Sequence, residues 1–141
     1  IFGRRRNLPD CKSKDRSVVN RACRQGLNFT IQSSSSDILL CSLLGITNTI
    51  QDRGMKARAV STVHDSIELI CPVEEVEEVC SLVYHEMVNY PFIKKHFGIE
   101  LNVPLGIETM VGKSFGDGVE AIYKDGTVSN GSEIMEYLCV H

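Results

Sequence analysis

The sequence predicts an α+β fold in which an antiparallel sheet carries helices on one face. Two apolar runs, 57–63 and 67–71, are rich in β-branched residues and flank a short polar centre, which is typical of a β-hairpin. Apolar residues then recur at helical spacing on one face of a later segment: Val76, Val79, Cys80, Val83 and Met87. A looser alternation over 101–111 predicts a further strand beside the hairpin.

Length and composition favour a single globular core. The chain has 141 residues, of which 43% are hydrophobic and 23% charged, so we expect one domain or part of a larger one rather than disorder. Its first residue is Ile rather than Met, so we expect a piece of a longer chain or a processed product. No apolar run approaches the roughly 20 residues that a membrane span needs, so no membrane partner is expected.

The six cysteines include no Cys-x-x-Cys pair, and no histidine lies at zinc-finger spacing. A structural zinc site is therefore not expected. Because a chain of this size can form a core without disulfides, we predict reduced, mostly buried thiols in a cytosolic protein.

Basic residues are concentrated near the N-terminus. Although the net charge is −3, eight of the fifteen basic residues fall within 1–24: Arg4, Arg5, Arg6, Lys12, Lys14, Arg16, Arg21 and Arg24. This asymmetry favours a polyanion that meets one face of the protein, but a solvated basic segment explains it equally well. The first nine residues are predicted to form an extended arm.

A row of polar residues follows on the first predicted helix, which begins at Ser13 or Lys14. Arg24, Asn28 and Gln32 stand at i, i+4 and i+8, so a continuous helix places them on one face. Arginine donates to phosphates, while the two amides donate to and accept from base or sugar edges. The row therefore suggests nucleic-acid contact.

The small residues Ser33–Ser36 are predicted to separate this helix from a second, buried helix with Asp37 in its first turn. The acidic run after Pro72 contains Glu74, Glu75, Glu77 and Glu78. Acidic side chains at a helix N-terminus complement the helix dipole, so we interpret this run as structural.

The polar centre of the hairpin is His64-Asp65-Ser66. A carboxylate held at the tip of a hairpin can bind a hard cation such as Mg2+ through oxygen. The alternative is that Asp65 serves only as a turn residue.

Beyond the strand at 101–111, which should pair with the hairpin sheet, 112–118 reads as a loop. Residues 121–128 resemble a small hairpin around Asp125-Gly126. A short final helix is predicted over 133–138.

In their order, these segments resemble the C-terminal palm region of a family A DNA polymerase, the group that contains bacterial DNA polymerase I. Four stretches carry the resemblance: Gly3–Ser13; Arg24, Asn28 and Gln32 with Asp37-Ile38; Val63-His64-Asp65, which resembles motif C; and Val103-Pro104-Leu105 with Gly112. It implies a palm-type antiparallel sheet with a motif C hairpin. Residues 1–118 would be the palm segment and 119–141 a C-terminal extension of unknown role.

The resemblance also implies roles for particular residues. In the family, the motif C aspartate is one of two carboxylates that hold a pair of catalytic Mg2+ ions, so Asp65 would be both the catalytic and the metal-binding residue. His64 and Gln32 would contact the minor-groove edge near the primer terminus. Arg24 and Asn28 would contact the primer–template, and the substrate would be a dNTP.

Ser66 departs from the family pattern, which usually has Glu after the motif C aspartate. Glu68 lies two residues on and, in a strand, on the same face as Ser66, so it could partly supply the missing charge. This departure leads us to expect a phage or otherwise divergent polymerase.

The resemblance predicts a DNA-directed DNA polymerase, a nucleotidyltransferase of DNA replication, that needs an upstream half for activity. The first metal-binding aspartate of the palm, the fingers helix and the thumb lie upstream in the family. Two alternatives stay open: a non-catalytic DNA-binding or assembly module derived from a palm, and an unrelated small regulatory domain. The expected location is the cytoplasm of a bacterial or phage-infected cell, with an organelle as the alternative.

Overall fold

The structure is a computed structural model that describes residues 2–139. Residues 1, 140 and 141, which belong to the predicted N-terminal arm and C-terminal extension, lie outside the described residues. The helices are α1 Arg16–Asp52, α2 Val76–Val88, α3 Pro91–Phe97 and α4 Gly131–Cys139, with 3-10 turns at Pro9–Lys12 and Val73–Glu75. The strands are β1 Arg58–Val63, β2 Ser66–Ile70, β3 Met110–Ser114, β4 Asp117–Glu120, β5 Tyr123–Lys124 and β6 Thr127–Val128. The predicted α+β class is confirmed.

The strands form three separate two-stranded antiparallel sheets in the described part of the chain, rather than the one sheet that we expected. β1 pairs with β2, and a bulge interrupts the register between Ala59 and Ser61. β3 pairs with β4, and β5 with β6. The predicted hairpins at 57–71 and 121–128 are therefore confirmed as local units.

The predicted strand at 101–111 and the predicted loop at 112–118 were both wrong. The chain is irregular until Met110, where β3 begins, and β3 pairs with β4 instead of with the first hairpin. Gly112 and Gly118 allow this pairing, because a Cβ at Gly112 would collide with the carbonyl oxygen of Asp117. Here the glycines mark a close backbone approach within a bulged hairpin, not a loop.

α1 is a single helix of 37 residues, whereas we predicted two helices separated by the serine run. Asp15 caps its N-terminus by accepting a hydrogen bond from the Ser17 amide at 2.7 Å. This bond lowers the pKa of Asp15. Within the helix, Ser34 Oγ donates to the Thr30 carbonyl at 2.9 Å. Small hydroxyl residues that bond the preceding turn can stay helical, which explains why the run does not end the helix.

Asp37 is consequently not in a first turn, as predicted, but buried in the middle of α1. The Arg4 guanidinium pairs with its carboxylate, with Arg4 Nε 3.2 Å from Asp37 Oδ2. The hydrogen bond to Asp37 raises the pKa of Arg4. The N-terminal arm is thus fixed to the middle of α1 by a charge pair, because a buried carboxylate needs a partner.

The core has two parts that meet at α2. In the first, Ile46 and Ile50 of α1 pack with α2, and Ile67 and Leu69 of β2 lie against them. The second joins α2 to the C-terminal extension, with buried residues Val76, Cys80, Ala121 and Ile134. The predicted helices after Pro72 and at 133–138 are confirmed.

The prediction that most cysteines are buried was wrong. Cys11, Cys23 and Cys139 are exposed, while Cys41 and Cys80 are buried. Burial raises the pKa of the Cys80 thiol to about 11, so this thiol stays protonated at neutral pH.

By length and composition alone, α1 could cross a membrane, contrary to the expectation from the sequence. An 18-residue window of the helix reaches a mean hydropathy of 1.2. The core helix of a globular domain meets the same criterion, and the C-terminal half of α1 packs on α2 through Ile46 and Ile50.

Candidate functional site

The tip of the first hairpin is a two-residue turn formed by His64 and Asp65. The last strand pair is Val63 with Ser66, so only His64 and Asp65 connect the two strands. His64 has a φ of 55°, in the left-handed region that favours glycine. A non-glycine residue held in this region costs about 1–3 kcal/mol, and such residues are concentrated at functional sites. The turn therefore holds its two polar side chains in a fixed place at some cost.

The Asp65 side chain is exposed and has no hydrogen-bond or ion-pair partner within residues 2–139. Its carboxylate oxygens are consequently available to a cation. No group of three or more His, Cys, Asp and Glu side chains that could hold a metal ion occurs in the described part of the chain. A cation bound to Asp65 would therefore need further ligands from outside the described residues.

Ser66 and Glu68 interact directly beside Asp65. Ser66 Oγ lies 2.8 Å from Glu68 Oε1 and 3.0 Å from the Val63 carbonyl oxygen, so its hydroxyl can donate to either acceptor. Glu68 is half-buried and on the same strand face as Ser66. The expected proximity of a carboxylate to the position of Ser66 is confirmed.

The polar row of α1 is exposed to solvent. Arg24, Asn28 and Gln32 are all exposed, and none has a side-chain partner among the residues that the structure describes. Two large apolar side chains lie beside the row, Leu27 at 68% and Ile31 at 67% exposure. The face therefore combines hydrogen-bonding groups with apolar surface, which suits a partner that presents both.

The structure brings Arg24, Asn28 and Gln32 together on one face of α1, and the same helix reaches the hairpin farther along the chain. α1 contacts the hairpin core through its C-terminal half, where Ile46 packs near Ile67. At 1.5 Å per residue, Gln32 lies about 20 Å along the helix from Ile46. One helix therefore carries the polar row at one end and packs on the core side of the hairpin at the other.

Glu75 makes a contact at the base of the hairpin that was not predicted from the sequence. The Glu75 carboxylate accepts hydrogen bonds from the backbone amides of Lys56, at 3.0 Å to each oxygen, and of Ala57, at 2.9 Å. We had interpreted the whole acidic run as complementing a helix dipole. Nothing in the sequence distinguishes Glu75 from its acidic neighbours, because its partners are backbone groups 18 and 19 residues away.

Comparison with protein families identifies the fold's relatives. The family model described as DNA polymerase family A matches residues 1–117. The chain belongs to this family. The family resemblance inferred from the four ordered stretches is therefore confirmed.

Individual family A polymerases support the assignment. The chain is 41% identical over 125 residues to the DNA polymerase of Bacillus phage SP01, which covers 89% of this chain and 14% of that polymerase. It is 32% identical over 117 residues to DNA polymerase I of Geobacillus stearothermophilus, covering 83% of this chain and 12% of the relative. The chain thus spans about one seventh or less of the length of these relatives.

A solved structure of the family has the same fold. It is the POL domain of Pol1 from M. smegmatis in complex with DNA primer–template and dNTP, and it superposes with a TM-score of 0.66 at 33% identity. The match covers 75% of this chain and 17% of that chain. The relatives are DNA-directed DNA polymerases of bacteria and of a phage, and family A polymerases generally use divalent metal ions.

Proposed function

We propose that residues 1–118 are the C-terminal palm segment of a DNA-directed DNA polymerase, and that 119–141 form a C-terminal extension packed on it. The observation that carries the proposal is the hairpin tip. It presents the unpartnered Asp65 carboxylate from a two-residue turn, within the region that matches the family. The reaction is template-dependent nucleotidyl transfer from a dNTP to a primer end in DNA replication.

The donor chemistry of the tip fits one side of a Mg2+ site. Asp65 would hold the metal through carboxylate oxygen, which is the ligand type that Mg2+ prefers. When bound, a pair of such ions lowers the pKa of the attacking hydroxyl and stabilises the leaving oxygen. Ser66 contributes a neutral hydroxyl where the family has a carboxylate, and Glu68 supports it at 2.8 Å.

The protein's own residues bind and orient the primer–template. Arg24 donates to a phosphate, and Asn28 hydrogen-bonds nearby along the same helix face. Gln32 and His64 contact the minor-groove edges of the terminal base pairs, where A·T and T·A present equivalent acceptors. Such contacts test the shape of a base pair rather than its sequence.

The rest of the active site comes from residues outside these 141. The chain covers 12–14% of its curated relatives, so we propose that an upstream remainder supplies the first palm aspartate, the fingers and the thumb. Val60 and Val63 of β1 are 50% and 44% exposed, and Ile70 of β2 is 54% exposed. These apolar side chains provide a surface for that remainder to cover, and the cytoplasm of a bacterial or phage-infected cell is the proposed location.

The test is Asp65→Asn in the complete polymerase. Nucleotide incorporation should fall by orders of magnitude while affinity for primer–template changes little, because the amide keeps the shape of the turn but loses the charge. Asp125→Asn is the control, since Asp125 is also an exposed aspartate at a hairpin turn. Near-normal incorporation by Asp65→Asn would exclude the metal role.

One observation favours a second candidate, a non-catalytic DNA-binding or assembly module. Ser66 replaces a carboxylate that the family resemblance led us to expect. Primer extension by the 141 residues alone and after adding the upstream half separates the two. Extension only with both halves supports the polymerase, whereas DNA binding without extension in either case supports the module.

A further inference from the structure

In the hairpin that carries Asp65, β2 packs on the first core through Ile67 and Leu69, but β1 receives little support along its length. β1 pairs with β2 only, and five of its six residues are exposed. A two-stranded hairpin is marginally stable by itself. The position of the tip therefore depends on how the two strands are held at the base.

At the base, the Glu75 carboxylate binds the backbone just before β1 begins. The first strand pair is Arg58 with Ile70, so the amides of Lys56 and Ala57 precede the ladder and have no strand partner. Glu75 accepts from both at 2.9–3.0 Å. Bonds from amides to a carboxylate are about twice as strong as neutral ones. Glu75 follows β2 in the chain, so it ties the start of one strand to the segment that follows the other.

Packing on the α1 side of β1 is only partial, because Ala57 is buried in the first core but open space remains beside it. A groove of about 360 Å3 lies there, lined by Thr47, Ile50 and Gln51 of α1 and by Ala57 and Arg58 at the start of β1. Side chains of α1 therefore leave space beside the first residues of the strand. A polar clamp has more influence on the strand's position where packing is incomplete.

The other acidic residues of the run do not reach the hairpin. Glu74 is exposed and has no side-chain partner within residues 2–139. Glu78 accepts from Arg53 at 3.0 Å, and Glu77 lies against Gly131 of α4. Glu75 alone among the four is hydrogen-bonded to the chain entering β1.

We infer that Glu75 is a positioning residue for Asp65, acting through the backbone at the start of β1. The inference rests on the proposed polymerase function, because the placement of Asp65 matters only if its carboxylate meets the reacting centre. A displacement of about 1 Å at such a centre can cost about 100-fold in rate. A loosened base should therefore affect the chemical step more than DNA binding.

The test compares Glu75→Gln with Glu74→Gln in the complete polymerase. A glutamine keeps the size of the side chain and one acceptor oxygen, but it loses the negative charge and the second acceptor, because its NH2 group can only donate. Glu75→Gln should lower kcat for nucleotide incorporation about 10- to 100-fold and raise the half-saturating Mg2+ concentration several-fold. The Kd for primer–template and the melting temperature should match those of Glu74→Gln. Glu75→Asp, which keeps the charge, should recover part of kcat.

A readout independent of activity is amide hydrogen exchange. Exchange at Lys56, Ala57 and across 58–68 should become faster in Glu75→Gln and stay unchanged in Glu74→Gln. Equal kcat, Mg2+ dependence and exchange in the two variants would overturn the inference. The inference would also be overturned if Glu75→Gln lowered melting temperature, DNA affinity and kcat together and Glu75→Asp restored none of them. Such losses would indicate a purely structural role for Glu75. If Asp65→Asn also incorporates nucleotides like the parent, the proposed function itself fails. If Asp65→Asn is inactive and Glu75→Gln behaves like Glu74→Gln, the proposed function stands and only the inference about Glu75 fails.

Discussion

Replacing Arg24 by alanine should make DNA binding less dependent on salt. Arg24 is exposed without a partner in the described residues, so its guanidinium is free to meet a phosphate. The row from Arg24 to Gln32 extends about 12 Å, which corresponds to about three or four phosphates of one strand. Because Arg24 is the one charged member of the row, the row should neutralise one phosphate. This contributes about −0.9 to the slope of log Kobs against log salt concentration.

Between 50 and 200 mM salt, a slope of this size corresponds to about a 3.5-fold loss of affinity. The parent polymerase should lose about 3.5 times more affinity over this range than Arg24→Ala, measured by fluorescence anisotropy with a labelled primer–template. Asn28→Ala should keep the parent slope, because asparagine carries no charge. Arg53→Ala is the matched arginine control, since Arg53 is exposed but donates to Glu78 at 3.0 Å. Equal slopes for the parent and Arg24→Ala would refute the assignment of this face to DNA.

Three further outcomes are expected. Gln32→Ala should slow single-turnover extension from a mismatched primer end more than from a matched one, because the amide tests base-pair shape. Ile134→Ala should destabilise the extension by about 2–5 kcal/mol, measured by denaturant-dependent proteolysis, because Ile134 is fully buried. Stability should fall as pH rises above about 9, measured by thermal unfolding. Burial raises the pKa of Cys80 to about 11 and of Tyr123 to about 12, so the unfolded chain loses these protons first.

Each of these outcomes has a control and a contradicting result. Gln25→Ala alters an exposed glutamine of α1 outside the row, and equal effects from Gln25 and Gln32 would contradict a specific role. Ile122 is 55% exposed, so a loss from Ile122→Ala as large as that from Ile134→Ala would contradict the packing of the extension. Tyr123→Phe should make the loss of stability at alkaline pH less steep. An unchanged loss of stability would exclude Tyr123 as a contributor to it.

The hairpins were predictable because turn chemistry is local. Asp125 and Gly126 both have positive φ, 52° and 82°, as an Asp-Gly turn between two short strands requires. The tip at His64 and Asp65 follows from two apolar runs around a polar centre. The pairing of strands from different hairpins depends on residues far apart in the sequence. The prediction of a single sheet was wrong for this reason. Within 110–120, Gly112 and Gly118 permit a close approach of two strands, although glycines in a polar segment are also typical of a loop.

The prediction of two helices where the structure has the single helix α1 failed for a related reason. Small polar residues favour caps and turns because their side chains compete for backbone groups. In α1, Thr30 and Ser34 instead bond carbonyls four residues back at 3.1 and 2.9 Å, which is compatible with a continuous helix. Gly26 also lies within α1, where Leu8 Cδ1 would be 3.0 Å from a Cβ, so the glycine makes room for the N-terminal arm.

For the candidate site, residue spacing on an element was predictable and contacts between elements were not. The row of Arg24, Asn28 and Gln32 follows from helical periodicity, and it is exposed as the interpretation requires. The roles of these residues, of His64 and of Asp65 remain predictions. Glu75 could not be found in the sequence, because backbone amides are present at every position and give no signal of their own.

In the proposed polymerase, one upstream strand could both cover the exposed surface of the hairpin and complete the metal site at Asp65. Val60 and Val63 expose about half of their surface, and a hairpin exposed in this way gains stability when another element covers it. In the proposed metal site, Asp65 would need a second carboxylate from the upstream remainder, and no group of three acidic, His or Cys side chains that could hold a metal occurs within residues 2–139. If the upstream remainder covers the hairpin with the strand that bears the first palm aspartate, one docking event supplies both. Burial of β1 and completion of the metal site would then be thermodynamically linked, so that metal binding favours docking and docking favours metal binding.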